Sequence, residues 1–560
     1  MPNHTELLDL LLRNRGIKSE DYDRFLNPSY EKHLYDPYLL KDMEKAIVRI
    51  FKSIEAKEKI VIYSDYDCDG IPAAVMMYDF FKKINYENFS IYIPDRHDEG
   101  YGLHKEAIID FIKDGVKLLI TFDLGITAVE EVIVATSAGI DVIITDHHLP
   151  KEKIPNAYAI INPKQKGCSY PDKMLCGAGV AYKLIQALVI KYGEYWKINN
   201  GWEKWLLDMA GVATLSDQVP LLDENRVIAI YGLKVLQKGR RPGLVELFRK
   251  AGVDIRKVNE EDVTFTLAPR LNAASRMSDP MEAFHVLATT NILEAKVLAD
   301  NLAKINDERK QTVAHIMKEV KAILTKRLEL NDDGDKAIIV IGNPKWRIGI
   351  LGIIAAKIVE EHKRPVFVWG SDGNDVIRGS CRSYGDINLV EIMNSMPEGS
   401  LLGFGGHAGA GGFSVSHEEI HFLEERLLQV FKDKPKEDEL KEDFKIEAKI
   451  TIDDVTNENY NVIEKLAPYG VGNPKPIFLF EKLPIFEIKE FGKEKNHLEL
   501  SFKNSRGKII KAIAFFKTRE SFKNLLNIND QINLTATFEK STFAGRTELR
   551  LRIVDIISTM

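Results

Sequence analysis

Little in this chain announces a compartment or a partner. Its 560 residues include only four cysteines, Cys68, Cys168, Cys176 and Cys381, and no CxxC pair. That usage argues against a disulfide framework and predicts a reducing, cytoplasmic setting. No run approaches the roughly 18 apolar residues of a membrane span. The opening MPNHTELLDLLLRNRG holds acids and too short an apolar stretch for a secretory leader. Basic charge is not in excess: 77 Lys and Arg stand against 83 Asp and Glu, a net charge of −6. Such a balance does not announce a nucleic-acid binder, although acids in one region can mask a basic groove in another. Repeats and long biased tracts are also lacking. What remains, 45% hydrophobic and 29% charged, is an ordinary globular composition long enough for about two to four domains.

What the chain does have is acids where apolar runs stop. KIVIYSDYDCDG, from Lys59 to Gly70, feeds a β-prone run into Asp65, Asp67 and Asp69 at alternate positions. Further strand-like runs end at Asp95 (SIYIPD), Asp123 (LLITFD) and Asp146 (DVIITDHH, with His147 and His148). Any one of these aspartates fits a turn or a helix cap. Together they repel strongly unless a cation sits among them. Divalent ions that cleave phosphodiesters take hard oxygen ligands, often as a pair. Asp67, Asp69 and Asp123 supply carboxylates, His147 adds a ligand suited to Mn²⁺, and Asp217 closes the set from a helical region. Cys68 reads as a small residue facing the core.

The chain divides by pattern into an N-terminal helical segment (1–50), an α/β core (51–290), a connector helix (291–330), a second, smaller α/β domain (331–432) and a small β-barrel (444–560). Alternating strands and amphipathic helices in the core imply a mostly parallel sheet. Ligands of such sheets lie beyond the carboxyl ends of the strands, where the acids fall. Leu298, Leu302 and Ile305, then Val313, Ile316, Val320 and Ile323, mark one long helix from Asn291 to Leu328. ATLSDQVPLLDENR and LAPRLNAASRM read as loops. NDDGD marks a boundary, and KDKPKEDELKED, from Lys432 to Asp443, a solvated linker.

DYDCDG, the DxG at Asp123 and the DHH at Asp146 resemble the ordered motifs of the DHH phosphoesterase superfamily. DEGYGL, GAGVAYKL, SDQVPLLDENR, PRLNAASRM, RGSCRS, GGHAGAGG and LAPYGVGNPKP follow in the order of its RecJ branch. The resemblance spans roughly residue 20 to the C-terminus. It implies a DHH core, a DHH-associated second α/β domain and an OB-like barrel. It also implies an exonuclease acting on single-stranded DNA from the 5′ end in repair and recombination. Two Mn²⁺ or Mg²⁺ ions would be held by Asp67, Asp69, Asp123, His147 and Asp217. Asp65 and Asp146 would stand beside them, and His148 would contact the scissile phosphate.

Guanidinium forks match phosphate oxygens, which nominates Arg96, Arg270 and Arg276, with Asn272, and Arg382 beside Ser380. The resemblance implies that some of these grip the terminal 5′ phosphate. GFGGHAGAGGF, Gly403 to Phe413, points to close approach of a ligand or another chain, with His407 at a phosphate or the metal rim. Arg347 stands where relatives often carry histidine. In the barrel, Phe478, Phe480, Phe486 and Phe491 interleave with Lys482, Lys489 and Lys493, a pattern that suits base stacking at the level of the domain, while core packing is the role expected of each ring. Single-strand-binding protein, a helicase and a monomeric state are implied by the resemblance. The competing expectation is a DHH phosphodiesterase on short oligoribonucleotides or cyclic dinucleotides.

Overall fold

Five short apolar runs build the first sheet of the computed structural model: β1 (Ile60–Ser64), β2 (Phe89–Tyr92), β3 (Leu118–Phe122), β4 (Asp141–Thr145) and β5 (Ala159–Ile161). Their order is β2-β1-β3-β4-β5 and every pairing is parallel. The structure describes residues 4–329, 336–371, 373, 376–432, 445–492, 495–522, 525–543 and 546–558. NDDGD, the charge run after Lys432 and Lys493 lie outside the described residues. β1 and β3 are buried along their whole length, as a parallel sheet covered on both faces requires. Each fully buried aliphatic side chain there contributes about 1.5–3 kcal/mol.

Helix α1 (Gly70–Lys83) leaves the first acidic turn directly, and α2 (Lys105–Lys113) and α3 (Val129–Ser137) connect later strands. Ile108 and Phe111 of α2 and Val132 of α3 pack on Val61, Leu119, Val142 and Ile144. Then come α4 (Gly177–Tyr192), α5 (Leu207–Ser216), α6 (Ala268–Met277) and the long α7 (Ile292–Glu329).

Two expected loops are largely helical. In ATLSDQVPLLDENR, α5 runs to Ser216 and another helix begins at Asp223. LAPRLNAASRM forms α6, because Ala268, Ala273 and Ala274 favour helix and Pro269 falls in the first turn, where its missing N–H is harmless. Leu271, Ala273, Ala274 and Ser275 form its buried face, too narrow to register as a periodic stripe.

The second sheet holds β6 (Ile339–Gly342), β7 (Val366–Gly370), β8 (Ile377–Arg382), β9 (Gly403–His407) and β10 (Ala410–Val415), with α8 (Leu351–His362) between its first two strands. Its order is β6-β7-β8-β10-β9, parallel only at β6/β7. Val313, Ile316 and Val320 of α7 pack with Leu351, Ile354 and Ile358 of α8 over Ile339 and Val366. Residues 37–217 and 232–441 make one compact unit.

A separate unit combines residues 1–36, 218–231 and 442–560. Its strands are β11 (Ile446–Lys449), β12 (Ile477–Pro484), β13 (Glu487–Phe491), β14 (His497–Lys503), β15 (Ile509–Ala514), β16 (Gln531–Phe543) and β17 (Arg546–Ser558). They form one sheet ordered β11-β12-β16-β17-β15-β14-β13. Leu7, Leu11 and Leu12 of the helix His4–Asn14 are buried in its core with Phe478, Phe480 and Leu500. Phe478 and Phe480 are thus core residues. Phe486 is 41% exposed beneath Lys503, and Phe491 is half-buried beside His497 and Phe515. Core packing, expected of all four rings, fails for Phe486, which lies in the short link between β12 and β13 with its ring partly in solvent. Among the described residues, no helix is long and apolar enough to cross a membrane.

Candidate metal centre and phosphate pocket

Asp65, Asp123 and Asp146 each follow the last residue of a strand, β1, β3 and β4. Their N–H groups extend the parallel ladder by one rung, to Phe122 O (3.2 Å), Thr145 O (3.0 Å) and Ile161 O (3.1 Å). Strands about 4.8 Å apart therefore hold three carboxylates side by side at one sheet edge. The first acidic turn then closes on itself, Asp67 Oδ1 accepting from the N–H of Asp69 (2.8 Å) and Gly70 (3.2 Å). Asp69 spans to the start of α4, whose Gly177 and Ala178 N–H groups donate to its oxygens at 2.6 and 2.7 Å. Asp123 takes a left-handed backbone (φ 62°) that aims its carboxyl at the same helix end. Gly177 leaves the room it needs, since a Cβ there would stand 2.5 Å from Asp123 Oδ1.

The DHH triplet divides its labour. His147 Nε2 lies 3.2 Å from Asp123 Oδ1, 3.7 Å from Asp69 Oδ2 and 3.9 Å from Asp217 Oδ2. Asp217 arrives from the end of α5. Asp146 is fully buried and fully bonded: Oδ1 accepts from the N–H of His147 and His148 and from His148 Nδ1 (2.8 Å), and Oδ2 from Ile126 N–H. It orients the histidines. By contrast, Asp65 Oδ1 and Asp123 Oδ1 are buried without a hydrogen-bond partner. Three ligand sets each lie within 4.8 Å: Asp65–Asp67–Asp123, Asp69–His147–Asp217 and Asp123–His147–His148.

Charge state follows from this crowding. Burial, then the neighbouring carboxylates, pushes Asp65 and Asp123 well above the usual range, Asp69 to about 6 and Asp217 to about 9. Asp146 goes the other way, because its bonds to His148 and backbone N–H groups outweigh burial. Burial and the His148 charge hold His147 down at about 3, so its imidazole is neutral and able to ligate. Burial raises Cys68 to about 12, which keeps the thiol inert. Unbonded buried oxygens, mutual repulsion and a hard donor set with one imidazole together fit Mn²⁺ or Mg²⁺.

Beside the acids lies their electrostatic opposite. Burial, then the charges of Arg96, Arg309 and Arg382, pushes Arg276 down to about 9. Its Nη1 donates to Gly349 O at 3.0 Å. Arg382 Nη1 donates to Ser380 Oγ at 3.0 Å, and Arg96 stacks on Tyr66 at 5.0 Å. Gly352, in the first turn of α8, admits these groups: its Cβ would stand 2.8 Å from Arg382 Nη2 and 3.2 Å from Ser380 Oγ. Crowded guanidinium groups beside a helix N-terminus form a ready site for a phosphate.

Arg270 donates to Thr266 O at 2.5 Å, and its charge adds to burial in holding Arg309 down. Asn272 Oδ1 is buried without a hydrogen-bond partner. His407 is exposed on β9, and no hydrogen bond among the described residues ties it to the acids. Part of the glycine-rich segment is structural: a Cβ on Gly406 would stand 2.6 Å from Gly411 Cα, whereas Gly405 and Gly409 face open space. Arg347 is exposed at the entry to α8.

Sequence reasoning missed Tyr101, whose Oη lies 3.3 Å from both Asp123 O and His148 Nδ1, although DEGYGL contains it. It also missed Lys164, whose amine burial pushes down while Asp217 and Asp146 attract it. Asn162 ties this stretch to the triplet, donating to His148 O (2.9 Å) and accepting from Lys164 N–H (2.8 Å). Only its proximity to DHH in the chain signals that pair.

Comparison with known proteins agrees with the geometry. Family profiles match residues 59–214 (DHH family, N-terminal domain), 334–433 (DHHA1 domain) and 446–555 (RecJ OB domain). The chain is 36% identical over 506 residues to the single-stranded-DNA-specific exonuclease RecJ of Bacillus subtilis, covering 90% of this chain and 62% of that protein. It is 30% identical to the Haemophilus influenzae protein of the same name, covering 99% of this chain and 96% of that one. RecJ of Thermus thermophilus, solved in complex with Mn²⁺, superposes with a TM-score of 0.79 at 25% identity, over 99% of this chain and 76% of the other.

Proposed function

Since the chain belongs to the RecJ family, we infer that it is a metal-dependent exonuclease that hydrolyses single-stranded DNA from the 5′ end and releases 5′ mononucleotides. One observation carries the reading: partnerless buried carboxylate oxygens stand next to an arginine cluster that includes Arg276, whose charge also reaches Asp67. Asp67, Asp69, Asp123, His147 and Asp217, which fall in three overlapping sets of close ligand atoms, would hold Mn²⁺ or Mg²⁺, with Asp65 beside them. Such ions would supply a water of lowered pKa and neutralise charge on the leaving oxygen. No side chain is needed as a nucleophile.

The chain's own groups do the positioning. Asp146 fixes the His148 ring through Nδ1, which leaves Nε2 for the scissile phosphate. Arg96, Arg276, Ser380 and Arg382 take the terminal 5′ phosphate, which sets polarity and limits the product to one nucleotide. Arg270, Asn272 and His407 serve the strand beyond it. The β11–β17 unit binds single strand on an aromatic and basic patch, where Phe516 is exposed and Arg552 lies 4.1 Å over the half-buried Phe515 ring. We assign the acids, Arg96 and Arg276 to a DHH core of 51–290, Arg309 to the 291–330 connector and Arg382 to the 331–432 domain, with 444–560 as the OB-like part and 1–50 as an N-terminal helical segment. A cytoplasmic monomer that works with single-strand-binding protein and a helicase completes the reading.

Incubation with Mn²⁺ and chromatography of the products test it. Mononucleotides from single strands, with blunt duplex left intact, are expected. Preferential cleavage of di- or trinucleotides over long strands points instead to a short-oligonucleotide phosphodiesterase.

A further inference from the structure

Between α7 and α8 lies an open cleft of about 420 Å³. That is the size of a small-molecule site. Val313, Met317 and Ile353 give it an apolar floor, and Arg309, Lys310 and Lys357 face Glu361 around the rim. Arg309 Nε is buried with no hydrogen-bond partner, and Nη2 donates to Asn306 Oδ1 at 3.0 Å.

The cleft backs onto the phosphate pocket at three places. Ile353 follows Gly352, where Arg382 and Ser380 crowd in. Met277, which packs against the cluster containing Val313, follows Arg276. Arg309 belongs to both, lining the cleft while its charge bears on Arg276. An anion held by Arg276 thus has one further cation, Arg309, on the wall of this cleft.

An enzyme that trims a strand from its end faces a traffic problem, because the uncut strand still fills the entrance when the product must leave. A released mononucleotide carries a phosphate for the rim cations and a base for the apolar floor. We propose that the α7–α8 cleft is a second nucleotide site, which receives the 5′ mononucleotide as it leaves the phosphate pocket. This rests on the exonuclease reading above.

Two exposed positions, one on each helix, allow a test away from the acids. Lys357→Glu reverses a rim charge, and Ala314→Trp fills the space. Calorimetric titration of the full-length protein with 5′-dAMP is expected to find two sites. Arg276→Ala should remove one, and Lys357→Glu or Ala314→Trp should weaken the other at least tenfold. In single-turnover digestion of a 5′-labelled strand, both cleft variants should release the first nucleotide within twofold of wild type, while continued degradation slows several-fold. A titration that neither cleft variant alters would overturn the proposal, as would loss of first-nucleotide release equal to the loss of continued degradation. Should wild type release no mononucleotide, the exonuclease reading fails, and the titration still decides whether the cleft binds a nucleotide.

Discussion

Asp123 concentrates the cost and the use of this site in one residue. It is buried, left-handed at the backbone, crowded by acids and keeps an oxygen without a hydrogen-bond partner. Asp123→Asn keeps the shape and tolerates the positive φ. Turnover is expected to fall below about a thousandth of wild type, with strand affinity by fluorescence anisotropy within threefold. Parallel loss of binding and of the melting transition would mark the residue as structural. Gly177→Ala acts on the same carboxyl from outside, because the new Cβ overlaps Asp123. A displacement of this kind costs about 10–100-fold in rate, and a metal titration of activity should show a higher half-saturating concentration.

The acids also set how the metal-free protein responds to pH. Asp217 is held at about 9 against an ordinary 3.8, so between those values the folded state keeps a proton that the unfolded chain has lost. Stability then falls as pH rises through that window. In EDTA, the melting temperature should be lower near pH 8.5 than near pH 6, and Mn²⁺ should raise it more at the higher pH. An EDTA melting temperature that rises with pH over this range contradicts the assignment of raised carboxylates.

At the scale of elements, α6 and α8 matter because each delivers a cation or a helix end to the arginine cluster. Arg276→Ala, on α6, should reduce the preference for 5′-phosphorylated over 5′-hydroxyl strands about tenfold, the worth of one charge-assisted bond. Metal loading should not change. The helix His4–Asn14 makes a different point, since Leu11 is fully buried in the core of the C-terminal sheet. Leu11→Ala should cost about 2–5 kcal/mol, seen as an earlier melting step for that unit.

These elements show what a sequence conveys. β1, β3 and β4 were legible because apolar runs that stop at acids have few other readings. The long α7 was legible from its three- and four-residue spacing. Helix α6 was not, since its buried face is mostly alanine and Arg270, Asn272 and Arg276 break up any apolar stripe. The spacing of Leu7 and Leu11 fits a helix, but nothing local says that it docks on strands more than 400 residues away.

For the whole molecule, the net charge of −6 hides opposites set side by side, an acid cluster that wants cations and an arginine cluster that wants an anion. Overall balance therefore revealed nothing of the chemistry, while motif order did. Tyr101, Lys164 and Arg309 escaped notice because only the folded chain brings them to the acids and the phosphate pocket. The most direct measurement is digestion of one oligonucleotide labelled at either its 5′ or its 3′ end, with and without divalent ion. The account predicts immediate release of the 5′ label as a mononucleotide, late release of the 3′ label, and no reaction in EDTA. Early release of the 3′ label, or undiminished cleavage in EDTA, would contradict it.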